Sequence, residues 1–348
     1  MKRPMTSTQA NSQAGFSLVE LMVAITIGFI VIGAVGYLYI GSRGAFRTTD
    51  NMSRMQETAR YAMDTLTRDI RMAGYRGCAS ASGTFNNALN NSSLNAYNFG
   101  QPLAGYDAQG TGWSPALPTG TGGLGALSIL PGTDAIVLRS TTGMGAYVTQ
   151  QPGNTSADLK VTTPNDLAIG DIAMVTDCTN ATVFQITNFN STGGGQNVVH
   201  NTGTGIPGNS TNDLGHNFVN GEIAKMQSKT YFIRTGASGR PALWVYDNFL
   251  ATSGSNPVEL ADGVQNMQVQ YGIDADSNGA VDSYATAGAV TNWNQVVAVR
   301  ISLLMASPDN NIVTSQQTYN YNNAAVAAGD RRMYQVLTTT IGVRNRLP

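Results

Sequence analysis

The sequence predicts an α+β protein: one long N-terminal helix, its first half membrane-spanning, packed on a mostly antiparallel β-sheet domain with long loops. Three observations carry that expectation. Residues 21–42 contain no charged side chain. Residues 52–70 repeat apolar side chains at three- and four-residue steps. Beyond residue 130, short β-branched and aromatic runs follow one another with no helical stretch between them. That is the pattern of hairpin-linked strands rather than of βαβ units, and it disfavours a Rossmann-type or barrel enzyme.

The uncharged span is long enough to cross a hydrocarbon core of about 30 Å as a helix. Glu20 stands at its start. A carboxylate in lipid is costly unless it finds a partner, so it marks a functional position by default; the plainer reading is a signal anchor with Glu20 at headgroup level. A polar leader with Lys2 and Arg3 comes first, and Gly15-Phe16-Ser17-Leu18-Val19-Glu20 joins leader to span. A secretory signal would place its small-residue cleavage site after the apolar run. Here the Gly15–Phe16 junction precedes it. Gly28, Gly33, Gly36, Gly41 and Gly44 punctuate the span, each lowering helix propensity by ~1 kcal/mol against Ala. They indicate either close helix packing or a segment that unwinds.

In the second half of the helix, Met52, Met55, Ala59, Met63, Leu66 and Ile70 form one stripe, with Arg54, Glu57, Asp64, Arg68 and Arg71 on other faces. Such a stripe packs on a sheet. Gly74 follows it as a C-terminal cap. Residues 75–130 read as surface loops, including Asn86-Asn87 and the turn at 119–123. Strands are expected at 135–138, 171–176, 182–186, 230–233, 242–246, 264–273, 296–305 and 336–343. A second glycine- and asparagine-rich insert covers 190–221, with a flexible turn at Gly193-Gly194-Gly195.

Composition excludes several functions. Charged residues are 12%, half the roughly 25% of ordinary soluble domains, which points to a neutral, polar surface outside the cell. Without Lys2 and Arg3 the chain has 18 basic and 21 acidic side chains, a formal charge of −3. No basic patch recurs, so nucleic acid is disfavoured as a partner. His200 and His216, both in the second insert, read as exposed loop residues. With no nucleophile motif, Walker loop or zinc motif beside them, the chain is read as non-enzymatic, needing no cofactor. Cys78 and Cys178 are an even pair in an exported chain, which suggests a disulfide; two separate buried thiols are the alternative. Closing a loop of about 100 residues would contribute roughly 4.7 kcal/mol in the chain-entropy model.

One motif has metal-ligand spacing. Asp274-Ala275-Asp276-Ser277-Asn278-Gly279-Ala280-Val281-Asp282 follows the first nine positions of an EF-hand calcium loop. Asp274, Asp276, Asn278 and Asp282 would offer side-chain oxygens and Ala280 its carbonyl. Position twelve is Ala285 instead of Glu, and the flanks read as strands, so a true EF-hand is excluded. A calcium-binding hairpin loop and an Asx-rich turn both fit.

The junction resembles that of the type IV pilin superfamily, matching its prepilin-peptidase motif at every position from Gly15 to Glu20. The resemblance implies cleavage after Gly15, N-methylation of Phe16, and a role for Glu20 in subunit assembly. It divides the chain into a leader at 1–15, a transmembrane half-helix at 16–43, an amphipathic half-helix at 44–74 and a β-rich extracytoplasmic domain at 75–348. In assembled pilins a stretch of the helix loses regular structure; Gly33 to Gly36 is the expected place.

Segments 263–274, 293–304 and 338–347 further resemble the PilW family of minor pilins. That resemblance implies a structural protein that helps prime pilus growth within a tip complex carrying a large adhesin. Its implied partners are other minor pilins, the major pilin, prepilin peptidase and the inner-membrane assembly platform. Its implied location is the inner membrane, then the pilus fibre or tip. The alternatives are a type II secretion pseudopilin of the GspJ type and a surface-binding module acting through the loops at 80–125 and 190–220.

Overall fold

The computed structural model describes Gly15 and residues 17–79, 83–120, 122–192, 195–249 and 256–346. The leader before Gly15, and Phe16, lie outside the described residues. The chain divides into two compact units, Met1–Asn51 and Met52–Pro348.

Helix α1 spans Leu18–Met72 and continues unbroken through Gly33 and Gly36. In the first unit its apolar side chains face outward: Leu18, Phe29, Ile32 and Ile40 are all about 70% exposed. No Cβ built on Gly28, Gly33, Gly36, Gly41 or Gly44 would meet an atom within 4 Å. α1 is long and apolar enough to cross a membrane, by length and composition.

The second unit begins with the amphipathic half of α1, followed by the strands. β1 is Thr84–Asn87, β2 Leu103–Gln109, β3 Gly112–Ser114, β4 Ala135–Gln150 and β5 Asp158–Val161. β6 (Ile172–Thr176) and β7 (Asn180–Gln185) form a hairpin, as do β8 (Asn188–Thr192) and β9 (Gly195–Val199). Then come β10 (Glu222–Thr235), β11 (Pro241–Asp247), β12 (Val258–Asp262), β13 (Val264–Ile273) and β14 (Ser283–Ala285). β15 (Val296–Ala306), β16 (Thr318–Tyr321), β17 (Ala324–Ala327) and β18 (Tyr334–Gly342) complete the chain.

Twelve of these strands share one sheet along the path β1-β7-β6-β10-β4-β5-β9-β8, with β2 and β3 off β4, and β11 and β12 off β10. A second sheet runs β14-β13-β15-β18, and β16 pairs with β17. The β1–β7 pair is parallel; the other ladders are antiparallel, as hairpin connections require.

The helix stripe that enters the core is Met55, Ala59, Ala62, Leu66, Ile70 and Ala73. It meets Ile136 and Leu138 of β4, Tyr231 and Ile233 of β10, Met267 and Val269 of β13, and Ile301 and Leu303 of β15. Both sheets therefore close on one helix. Two members of the expected stripe differ. Met52 is exposed and Met63 only half-buried, because burial needs a facing strand as well as the right helical phase. Ala62 takes a core position instead; its small side chain permits a close helix–sheet approach. α1 ends as expected at Gly74, whose φ of 75° is left-handed and open to glycine without strain.

The loop reading of residues 75–130 needs correction. Asn86 and Asn87 lie in β1, and Leu103, Ala104 and Tyr106 of β2 are buried. The polar residues of β1 are tolerated because it is an edge strand. The insert at 190–221 likewise contains part of β8 and the whole of β9. Gly195 opens β9, while Gly193 and Gly194 lie outside the described residues. Residues 146–223, with Ala88, build a separate apolar cluster around Val148, Leu159, Phe184, Val198 and Phe218.

Candidate functional site

The N-terminal site is built by local hydrogen bonds. Ser17 Oγ accepts the Glu20 N–H at 3.2 Å, and Glu20 Oε2 accepts the Ser17 N–H at 2.9 Å. This reciprocal capping box satisfies two amides that a helix start leaves unpaired. Ser17-Leu18-Val19-Glu20 carries the spacing of that motif, so the capping function was readable in the sequence. The Glu20 charge also lies in the first helical turn, where it complements the macrodipole. Thr26 and Thr48 satisfy their own hydroxyls on carbonyls four residues back, which leaves the apolar surface of the first unit without competing polar groups at these positions.

Behind the helix, Cys78 and Cys178 form a disulfide. It joins the segment just after α1 to the turn between β6 and β7. The sequence pairing is thus realised in the structure.

The acidic loop hangs between β13 and β14. Asp274, Asp276 and Asp282 can each place a carboxylate oxygen within 4.8 Å of the others. Asp274 is buried, and its two oxygens accept the Asn278 and Gly279 N–H groups at 3.1 and 2.8 Å. Asp282 accepts the Ala275 N–H at 2.7 Å. Asn278 turns its Oδ1 to the Ala280 N–H at 2.8 Å and donates its Nδ2 to Asp276. The three carboxylates are brought together, then, while the Asn278 oxygen faces the backbone. Oxygen donors of this kind suit a hard cation such as calcium.

Two carboxylates, one half-buried and one buried, escaped the sequence reading. Asp69, at the edge of the helix stripe, accepts a hydrogen bond from Tyr231 and one from Lys229 Nζ at 2.9 Å. Burial alone would raise its carboxyl, but these two donors outweigh it and hold the group below its usual range. Asp134 is 2% exposed and spans the two sheets: Oδ1 accepts the Ala108 N–H of β2, and Oδ2 the Val269 N–H of β13, both at 2.8 Å. Burial pushes this carboxyl up to about 7, against the pull of both amides. A lone Asp beside a turn glycine gives no sign of a partner more than a hundred residues away.

The histidines also differ from expectation. His200 is fully buried, its ring 4.8 Å from that of Phe184. Burial lowers its imidazole to about 4. His216 is half-buried at the edge of Phe218. The Asn/Gly-rich composition around them suggested exposure, but β8, β9 and the loop to Phe218 close over the apolar cluster and carry His200 inside.

Comparison with known proteins agrees with both ends of the chain. Residues 10–36 match the family model described as prokaryotic N-terminal methylation motif, and residues 230–345 match that of type IV pilus-assembly protein W. The chain is also similar to the pilin-like protein PilA3 of Thermus thermophilus, 41% identical over 63 residues, which is 18% of this chain and 27% of that relative. The chain thus matches only about a quarter of the relative's length. No solved structure matches the chain. The PilW match takes in β11 to β18 and part of β10, including β13 and β15, which face the amphipathic helix, but not β4, which faces it too. Behind its capped apolar helix the chain thus carries a domain that matches the PilW family model, preceded by a match to the N-terminal methylation motif, on a type IV pilin-like architecture.

Proposed function

We propose that this protein is a minor pilin that helps prime type IV pilus assembly, within a tip complex that carries a large adhesin. It acts as a structural, non-catalytic subunit. The observation that carries this reading is the pairing of an outward-facing apolar helix with a PilW-type sheet domain closed on the helix's second half. After cleavage at Gly15 the helix would stay in the inner membrane. Neighbouring pilins would then approach along its glycine-punctuated face, where small residues permit close contact. Glu20 would neutralise the Phe16 amine of its own or a neighbouring chain, since an unpaired charge in a low-dielectric bundle is costly. The partners on this reading are other minor pilins, the major pilin, prepilin peptidase and the assembly platform.

The test is deletion of the gene with complementation. Loss of most surface pili, restored by the wild-type gene, and antibody label confined to fibre ends support the reading. Normal piliation with label absent from pili would overturn it. We further propose that the loop of Asp274, Asp276, Asn278, Ala280 and Asp282 holds calcium, on the convergence of its three carboxylates. The ion would neutralise their mutual repulsion and fix the β13–β14 turn.

A further inference from the structure

A cleft of about 610 Å³ opens beside the end of α1, lined among others by Gly74, Arg76, Phe85, Asn294, Asn345 and Arg346. Its two cations are Arg76 and Arg346. The Arg76 guanidinium lies 4.0 Å from the centre of the Phe85 ring and donates one hydrogen bond to the Phe99 carbonyl at 3.1 Å. Arg346 donates to the Asn294 side-chain oxygen at 3.2 Å. Among the described residues neither has a carboxylate partner. Burial, then the like charge of Arg346, lower Arg76 to about 10; burial also lowers Arg346. Elsewhere in the fold the partly buried cations Lys225, Lys229 and Arg240 each have an aspartate, whereas Arg234 and Arg300, like Arg76, lie over an aromatic ring. Two half-buried guanidinium groups that line one cleft, with donors to spare, are complementary to a group with two negative oxygens.

We propose that the cleft between Arg76 and Arg346 is a receptor for a carboxylate. The two forks grip its oxygens, and the Asn294 and Asn345 amides border the site. The carboxylate arrives either on an acidic side chain of a neighbouring subunit or on a free small acid. The first source rests on the pilin reading; the site chemistry does not.

The probe is citrate, titrated calorimetrically into the full-length protein in neutral detergent, with sodium chloride at matched ionic strength as control. The wild-type protein should bind citrate at one site. Arg346→Gln should weaken binding about ten- to a hundredfold, the worth of one charge-assisted contact. Arg346→Glu should abolish binding and raise the melting temperature, because the new carboxylate pairs with Arg76 internally. Citrate binding that is absent, or equal in wild type and Arg346→Gln, overturns the proposal, as does a destabilised Arg346→Glu. A cellular arm separates the sources. If Arg346→Gln loses co-purification with other pilins, the carboxylate belongs to a subunit; if co-purification is unchanged while citrate binding is lost, it belongs to a free acid. Failure of that arm alone leaves the site and removes only the subunit source.

Discussion

Tyr231 of β10 donates its hydroxyl hydrogen bond to Asp69 of α1, across the interface where helix and sheet meet. Lys229, two residues along the same face of the strand, donates to the same carboxylate oxygen. This contact fixes the axial position of the helix on the sheet, which the sliding apolar stripe of Leu66 and Ile70 specifies less sharply.

Asp69→Ala is therefore expected to destabilise the protein by about 1–3 kcal/mol, since it strands a buried hydroxyl and a partly buried ammonium. Tyr231→Phe should cost less, about 0.5–1.5 kcal/mol. The double variant should fall short of the sum by more than about 0.5 kcal/mol if the pair is coupled. Chemical denaturation of the three variants measures this, and strict additivity would refute the contact.

Glu20 caps its own helix, and on the proposed function it would also supply charge for assembly. Glu20→Gln keeps a capping-box residue but removes the charge; Glu20→Ala removes both. Both variants should be cleaved after Gly15 and inserted in the membrane. If charge pairing drives assembly, both should be depleted from sheared pili to a similar degree. Recovery of incorporation by the glutamine variant would assign the effect to the cap.

Calcium should raise the melting temperature of the full-length protein by mass action. Extracellular sites of this kind bind at about 10⁻⁴ to 10⁻³ M, and the absence of a glutamate at Ala285 places this one at the weak end. At ten times the dissociation constant the stabilisation is about 1.4 kcal/mol. Asp276→Ala should abolish the shift while leaving the calcium-free melting temperature nearly unchanged, because Asp276 is exposed in the turn. An unshifted wild-type protein in several millimolar calcium leaves the Asx-turn reading.

His200 should make stability fall on acidification. Its folded value, near 4, lies below the ordinary value of about 6.5, so the unfolded chain takes up a proton first. Its contribution is complete above about pH 6.5 and is lost as pH falls toward 4. Asp134 acts with the opposite sign. Its raised value means the folded state holds the extra proton, so its contribution is present at low pH and is lost as pH rises through about 7. The measurement is thus the difference between His200→Leu and wild type from pH 7 to 4.5. The variant should lose less stability over that range; parallel curves would show that His200 does not titrate there.

The sequence by itself determined the local features. The uncharged run after Glu20, the 3.6-residue stripe through Leu66 and Ile70, the cap at Gly74 and the apolar cores of β4, β10, β13 and β15 all follow from short-range spacing and solvent preference. The Cys78–Cys178 pair was legible because two cysteines in an exported chain leave one pairing. The tertiary structure decided what depends on distant chain segments meeting. It buried His200 inside the insert, made β1 of an asparagine-bearing stretch, and set Asp134 between Ala108 and Val269. It also brought Arg76 and Arg346, from distant parts of the chain, to the lining of one cleft. Periodicity reports which face of an element is apolar, but not what arrives to cover it. A buried polar group is specified by its partners, and those partners become neighbours only when the sheets close on the helix.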